Sequence, residues 1–376
     1  MSKTYSQYIK LREPNYCYYP LHLDPYGSGC SNDCTYCFQK DQLYFRNEKD
    51  EKNKTRKPTA WRPNNPSISP MDKIENIFEE VFEKSNSGDI EKIKKGLKKA
   101  KIGEGFNSKN FYKYLIAQKL PLRIGGVTDP FQDAEEEHRV TYNILKMLNK
   151  YDYPAQIVTK SDLVLNDDYL ELLREGKGHF YFQVTITTMD EKLAELIEPN
   201  SPTPKRRREV LSKLNDLGLT TAVRINPLHP QDLYNRIGED MEEFISKIAE
   251  TETETVIVGG LRVQSKNREY GPIASAEFMN DALREDDRLS EIDIKNLLEK
   301  RGGTYYIPED ELLTQYREIK QYCDEYDLNF TLCHDSNKNA RKEEFVKLWH
   351  DTEDCCNALN NVEEFNITFG KFRGEE

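Results

Sequence analysis

Three cysteines fall within eight positions of one another: Cys30, Cys34 and Cys37, in the stretch LDPYGSGCSNDCTYCFQK over residues 23–40. Thiolates are soft metal ligands, and this spacing puts three of them on one short loop. Gly27 and Gly29 let such a loop curl, and Ser31, Asn32 and Asp33 can close its turns. A structural zinc site asks for four closed ligands. The nearest local fourth ligand is His22, which precedes the loop on an expected strand. Three thiolates instead reach three corners of a metal–sulfur cube and leave one metal position open, the arrangement of a site that does chemistry.

The other five cysteines are Cys17, Cys323, Cys333, Cys355 and Cys356. Cys17 and Cys323 read as packing, since a buried thiol behaves as a small hydrophobe. Cys333, followed by His334, ends the last expected strand. With Cys355 and Cys356 it forms a candidate set for a second cluster or a zinc; alternatively Cys333 alone is a candidate hydrogen donor.

The elements that must position these residues follow from the pattern. Strands are expected at 17–24, 122–127, 155–160, 181–188, 220–227, 254–263 and 328–334, and helices at 71–84, 134–150, 240–250 and 309–327, with others between. Strands alternating with helices imply a parallel sheet. About seven of them predict an α/β fold, a partial or full (β/α) barrel in which working residues sit just past the C-terminal strand ends. The barrel is expected over residues 1–334, with a helical and loop insert at about 39–120, and a small Cys-bearing appendage over 335–376. Residues 264–308 read as one long polar segment, and no internal repeat is found.

The chain has 376 residues, 37% hydrophobic and 32% charged, with a net charge of −12. No uniform basic face advertises nucleic acid, although a local groove can be basic on an acidic protein. No apolar run approaches the roughly 20 residues of a membrane span, and MSKTYSQYIKLREPNYCYYP lacks an apolar signal core. A cytoplasmic protein with reduced thiols is expected, with no membrane partner.

GCSNDCTYCF resembles the cluster loop of the radical S-adenosylmethionine (SAM) enzymes, including an aromatic, Tyr36, just before the last cysteine. The segments GGVTDPFQDAE, VTKSDLV, VTITTMDEKLAELIEPNSPTPKRRREVL and AVRINPLHP resemble the spore photoproduct lyase-like subgroup of that family. The resemblance implies a radical SAM barrel and a [4Fe–4S] cluster on Cys30, Cys34 and Cys37. It implies SAM on the remaining iron and an external electron donor such as flavodoxin or ferredoxin. For SAM it implies Tyr36, the backbone at Gly125 and Gly126, Thr128 and Asp129. It adds Thr159, Lys160 and Ser161 after one strand, Thr185 and Thr187 on another, Arg207 as a carboxylate grip, and Arg224.

The subgroup's hydrogen-donor cysteine follows the early strands, and this sequence has no cysteine between Cys37 and Cys323. The resemblance therefore carries the radical chemistry and not the dimer substrate. The first expectation is a nucleic-acid base or nucleotide, supported by the basic stretch 91–101 and the aromatics of NFYKYL and TAWRP. A peptide or small metabolite is the alternative within the same chemistry, and a non-enzymatic metal-binding protein the alternative outside it.

Overall fold

The computed structural model describes residues 9–11, 21–40, 61–85, 88–89, 113, 115–264, 275–333 and 343–348. Residues 41–60, the basic stretch 91–101, and Cys17, His334, Cys355 and Cys356 lie outside them.

The strands are β1 (Ile9–Leu11), β2 (Leu21–Leu23), β3 (Tyr26–Gly27), β4 (Ser67–Ile68), β5 (Leu122–Ile124), β6 (Ala155–Thr159) and β7 (Phe180–Thr185). They continue as β8 (Thr220–Leu228), β9 (Thr255–Gly260), β10 (Arg262–Gln264), β11 (Glu299–Arg301), β12 (Thr304–Tyr306) and β13 (Asn329–Leu332). One sheet runs β1-β2-β5-β6-β7-β8-β9-β13. Its seven strands from β2 onward are parallel, and β1 is an antiparallel edge. This is the expected α/β architecture, a largely parallel sheet whose strands are joined by crossover helices.

Helix α1 (Met71–Phe82) precedes β5. Helices α2 (Ala134–His138) and α3 (Val140–Lys150) join β5 to β6, α4 (Asp167–Glu175) joins β6 to β7, and α5 (Glu191–Ile197) and α6 (Pro204–Asp216) join β7 to β8. Helices α7 (Gln231–Ile237) and α8 (Met241–Ala249) lead to β9, and α9 (Ser275–Leu283) and α10 (Glu309–Glu325) precede β13. Their apolar stripes, such as Met241, Phe244, Ile245 and Ile248 on α8, are buried. Asp190 and Thr203 cap α5 and α6 with their side chains, as N-cap preference predicts.

The sheet is buried on both faces, but only one face is apolar. Ladder register aligns His22, Arg123, Gln156 and Tyr181 across β2, β5, β6 and β7, and all four are buried. Gln183 and Arg224 lie further along β7 and β8. Barrel interiors are more often filled by branched aliphatics. Burying polar groups is costly unless they are bonded, so this lumen is built for more than packing.

Two expectations are corrected. Residues 134–150 are not one helix: the chain breaks at Arg139, whose φ is 50°. The break serves Glu135, which is fully buried. Its carboxylate accepts the backbone N–H groups of Thr141 and Tyr142 at the start of α3 and the hydroxyls of Tyr26 and Tyr169. Residues 264–308 are not a single loop either. They hold α9 and the strands β11 and β12, which pair with β10 in a three-stranded sheet whose three-residue strands are too short to leave a period-two pattern.

Replacing Glu135 strands four donors. Glu135→Ala is expected to lower the unfolding free energy by about 3 kcal/mol or more, whereas exposed Glu136→Ala changes it by about 0.5 kcal/mol or less. Urea unfolding of the two variants checks this.

Candidate functional site

The cysteine loop folds on itself through short backbone bonds, Asp33 N–H to the Cys30 carbonyl at 3.1 Å and Cys37 N–H to the Cys34 carbonyl at 3.2 Å. Gly29 is needed for close approach more than for curl. A Cβ there would lie 1.9 Å from the carbonyl oxygen of Arg62, in the 61–63 segment that covers the loop.

The loop closes one end of a chamber of about 190 Å³ at the C-terminal strand ends. Cys30, Cys34, Tyr36 and Cys37 line it from the loop. Gly125, Gly126, Thr128 and Asp129 line it after β5, Thr159 and Lys160 at β6, and Thr185 at β7. Arg224 on β8 and Cys333 just past β13 complete the expected residues present there. Trp61, the aromatic of TAWRP, lines it as well, together with Arg123 and Arg262, which nothing local in the sequence singled out.

Three expected residues stand behind this wall. Ser161 bonds to Thr159 and Leu163 and shapes the turn after β6. Thr187 reaches Glu198 at 3.5 Å. Arg207 is fully buried, and the carboxylate it grips is Glu198 of this chain. It also donates to the carbonyls of Pro202 and Thr185.

Two buried carboxylates hold the wall in place. Asp129 accepts from Thr159 Oγ1 at 2.7 Å, Phe131 N at 3.0 Å, Lys160 N at 2.7 Å and Asn32 Nδ2 at 3.0 Å. Its own N–H donates to Cys30 Sγ at 3.4 Å. Asp129 thus fastens the cysteine loop to β6. Asp133 does not cap its own helix: it accepts from Ser31 Oγ of the loop instead. Glu198 is the second carboxylate. It accepts the Tyr36 hydroxyl and the Arg207 guanidinium, and Lys160 Nζ lies 3.8 Å away. Nothing local in the sequence marks Glu198, because its partner Tyr36 lies far away in the chain.

The two glycines after β5 have steric reasons. Gly125 has φ +82°, and a Cβ there would lie 2.4 Å from the Val158 carbonyl oxygen. A Cβ on Gly126 would meet His22 Nδ1 at 2.8 Å. Across the chamber, Arg224 donates to Gln183 Oε1 at 2.7 Å and to Cys333 Sγ at 3.1 Å.

Burial pushes the Cys30, Cys34 and Cys37 thiols up, Cys34 to about 11. Thiols so buried need the charge of a bound metal to become thiolates. The surroundings suit thiolates: backbone N–H groups of Asn32 and Asp129 face Cys30, and those of Gln39 and Lys40 face Cys37. Among the described residues no three His, Cys, Asp or Glu side chains converge tightly enough for one metal ion. A cluster does not ask them to, because its thiolates bind separate irons. The donor set fits a [4Fe–4S] cluster better than a zinc. Of the candidate auxiliary ligands, Cys333 lines the chamber, and Cys355 and Cys356 lie outside the described residues.

His229 lies behind Tyr36, ring centroids 6.0 Å apart, and is fully buried. Neither ring nitrogen has a partner. Burial pushes its pKa down to about 4, against the pull of Glu198.

A family model described as the radical SAM superfamily matches residues 25–244. An uncharacterised protein of Acidianus two-tailed virus is 37% identical over 115 residues, 30% of this chain and 38% of that protein. An uncharacterised protein of Methanocaldococcus jannaschii is 32% identical over 123 residues, 32% of this chain and 46% of that protein. The chain thus spans less than half the length of these curated relatives. Among solved structures, a spore photoproduct lyase mutant superposes with a TM-score of 0.53 at 12% identity, over 86% of this chain and 78% of that one. A second mutant of that lyase, with bound AdoMet and dinucleoside spore photoproduct, gives 0.52 at 13% identity, over 86% and 80%. At such identity the likeness shows the fold.

Gly125→Ala is expected to cost about 2 kcal/mol, from the positive φ and the carbonyl contact, and to lower the thermal midpoint measured by circular dichroism. His229 supplies a pH signature. Its unfolded imidazole takes up a proton near pH 6.5 and the folded one near pH 4, so its contribution is whole above 6.5 and is lost as pH falls towards 4. The wild type should lose about 3 kcal/mol more than His229→Phe across that window in urea titrations.

Proposed function

This chain belongs to the radical SAM superfamily, and on that premise we propose that it cleaves SAM reductively in the cysteine-lined chamber and takes hydrogen from a nucleic-acid base or nucleotide. The family implies an enzyme with a [4Fe–4S] cluster and SAM. The observation that carries the reading is that one chamber gathers all three loop cysteines and the ends of the parallel strands.

In this reading Cys30, Cys34 and Cys37 hold three irons. A cluster held there would supply the one-electron reduction by which SAM is cleaved to methionine and a carbon-centred radical. The residues of this chain bind, orient and exclude water. Gly125 and Gly126 line the chamber and would offer backbone to the SAM amino group. Lys160 offers an ammonium to the carboxylate. Burial works against its charge, but the Cys34 sulfur and Glu198 raise its pKa above the usual value. Thr128, Thr159 and Thr185 supply hydroxyls along the wall, while Asp129 holds it, its carboxylate occupied by protein donors. Arg224 faces the same space beside Cys333. Arg207, Ser161 and Thr187 act from behind. Trp61, bonded to Asp33 at 2.9 Å, and Phe38 under Arg262 screen the mouth; exclusion of water protects a reactive radical.

The substrate class rests on the spore photoproduct lyase-like motifs and fold, and on the aromatic and cationic lining, Trp61, Arg123 and Arg262, which suits stacking and phosphate. The lyase's own substrate does not transfer, because the mid-chain cysteine is missing. Cys333 lines the chamber, which supports its candidacy as hydrogen donor. An external one-electron donor such as flavodoxin or ferredoxin completes the cycle.

Anaerobic reconstitution of the full chain is expected to give about four irons, and Cys30→Ala to lose them. Reduced wild type with SAM should release 5′-deoxyadenosine, with deuterium transferred into it from a deuterated substrate. A loaded chain that releases none refutes the reading.

A further inference from the structure

Glu198 has no assigned part, yet it sits at the centre of the cysteine loop's support. It lies at the C-cap of α5, and its side chain is 0% exposed. Four groups converge on it from separate elements: the Tyr36 hydroxyl, the Arg207 guanidinium, Thr187 Oγ1 and Lys160 Nζ. Tyr36 lies between Cys34 and Cys37 in the chain. Lys160 Nζ also rests 5.7 Å from the centre of the Tyr36 ring. The backbone repeats the link, with Thr35 N–H donating to the Ile197 carbonyl at 2.9 Å.

A fully buried carboxylate among two cations is costly to keep and needs a reason. A purely structural tie between loop and helix could be made by the Thr35–Ile197 bond with apolar packing. Burial alone would raise the Glu198 pKa, but Arg207 and Lys160 hold the carboxyl below its ordinary range, so it stays ionised. It holds Tyr36 between Cys34 and Cys37, and Ile197 beside it holds Thr35, so its charge lies against the loop that carries the Cys34 sulfur. The surroundings of Cys34 therefore carry two positive charges and one negative one, all held by the protein. Charge and hydrogen bonding next to a ligating sulfur tune the potential of an iron–sulfur centre.

We propose that Glu198 is a positioning residue that fixes Tyr36 against the loop, steers Lys160 to the chamber wall, and by its charge sets the potential at which the centre on Cys30, Cys34 and Cys37 accepts an electron. Arg207 keeps Glu198 ionised, and Lys160 acts in the opposite sense to it. The inference rests on the proposed cluster at these cysteines and adds the residue that governs it.

Potentiometric titration of the reconstituted full chain, without SAM and followed by the electron paramagnetic resonance signal of the reduced state, tests this. Glu198→Gln removes a negative charge and is expected to favour reduction about tenfold, an upward shift of about 59 mV for one electron. Lys160→Gln removes a positive charge and is expected to shift the potential down by a similar amount. Iron content should stay at the wild-type value in both. Unchanged potentials in loaded variants, or shifts of the same sign, overturn the inference. Should Glu198→Gln fail to fold, Lys160→Gln decides by itself, since an unchanged or raised potential there also overturns it. A wild-type chain that takes up no iron refutes the cluster reading itself, a different and recognisable result.

Discussion

The mouth of the sheet depends on the four donors that meet at Asp129. Two come from β6 and its end, one from the cysteine loop, and one from the turn that carries Asp129 itself. A loop of glycines, serine and asparagine has little apolar surface to bury, so packing cannot hold it on the sheet. A carboxylate with both oxygens engaged can do so. Hydrogen bonds to a charged acceptor are about twice as strong as neutral ones, and their directions fix the loop's orientation as well as its distance. The same residue offers its N–H to Cys30, so sheet and thiol are positioned by one group.

The pattern recurs at Glu135 and Glu198. Each is a buried acid that gathers donors from several elements: Glu135 joins β3 to α3 and α4, and Glu198 joins the cysteine loop to α6 and the end of β6. Their net worth to stability is modest, because burying a charge offsets much of what its bonds return. What they supply is geometry. The strand ends, the loop and the connecting helices are held by directional contacts around a lumen that keeps Arg123, Gln156, Gln183 and Arg224 in its interior. A greasy core would hold these elements more loosely and could not present polar groups to a bound molecule.

Much of this was legible in the sequence where the signal is local. The cysteine spacing, the paired glycines and the run of strands each lie within a few residues, and the chamber collects them. The split at Arg139 was not legible, because helical periodicity is continuous through 134–150 and the cause is Glu135 recruiting tyrosines 109 positions before it and 34 after it. Arg207 was expected to grip a cofactor carboxylate for the same reason: a guanidinium shows its capacity in the sequence but not its partner. Glu198 escaped notice because its bond to Tyr36 spans 162 positions. Residue types reveal what a site can do, while long-range pairing decides which groups remain free to do it.

The central claim is that the three-thiol loop leaves one iron of four for SAM in this chamber. Mössbauer spectroscopy of the iron-57-reconstituted protein tests it directly. Adding SAM is expected to change about a quarter of the iron signal, one site among four, and to leave the rest in place. A spectrum that SAM leaves unaltered would contradict the account.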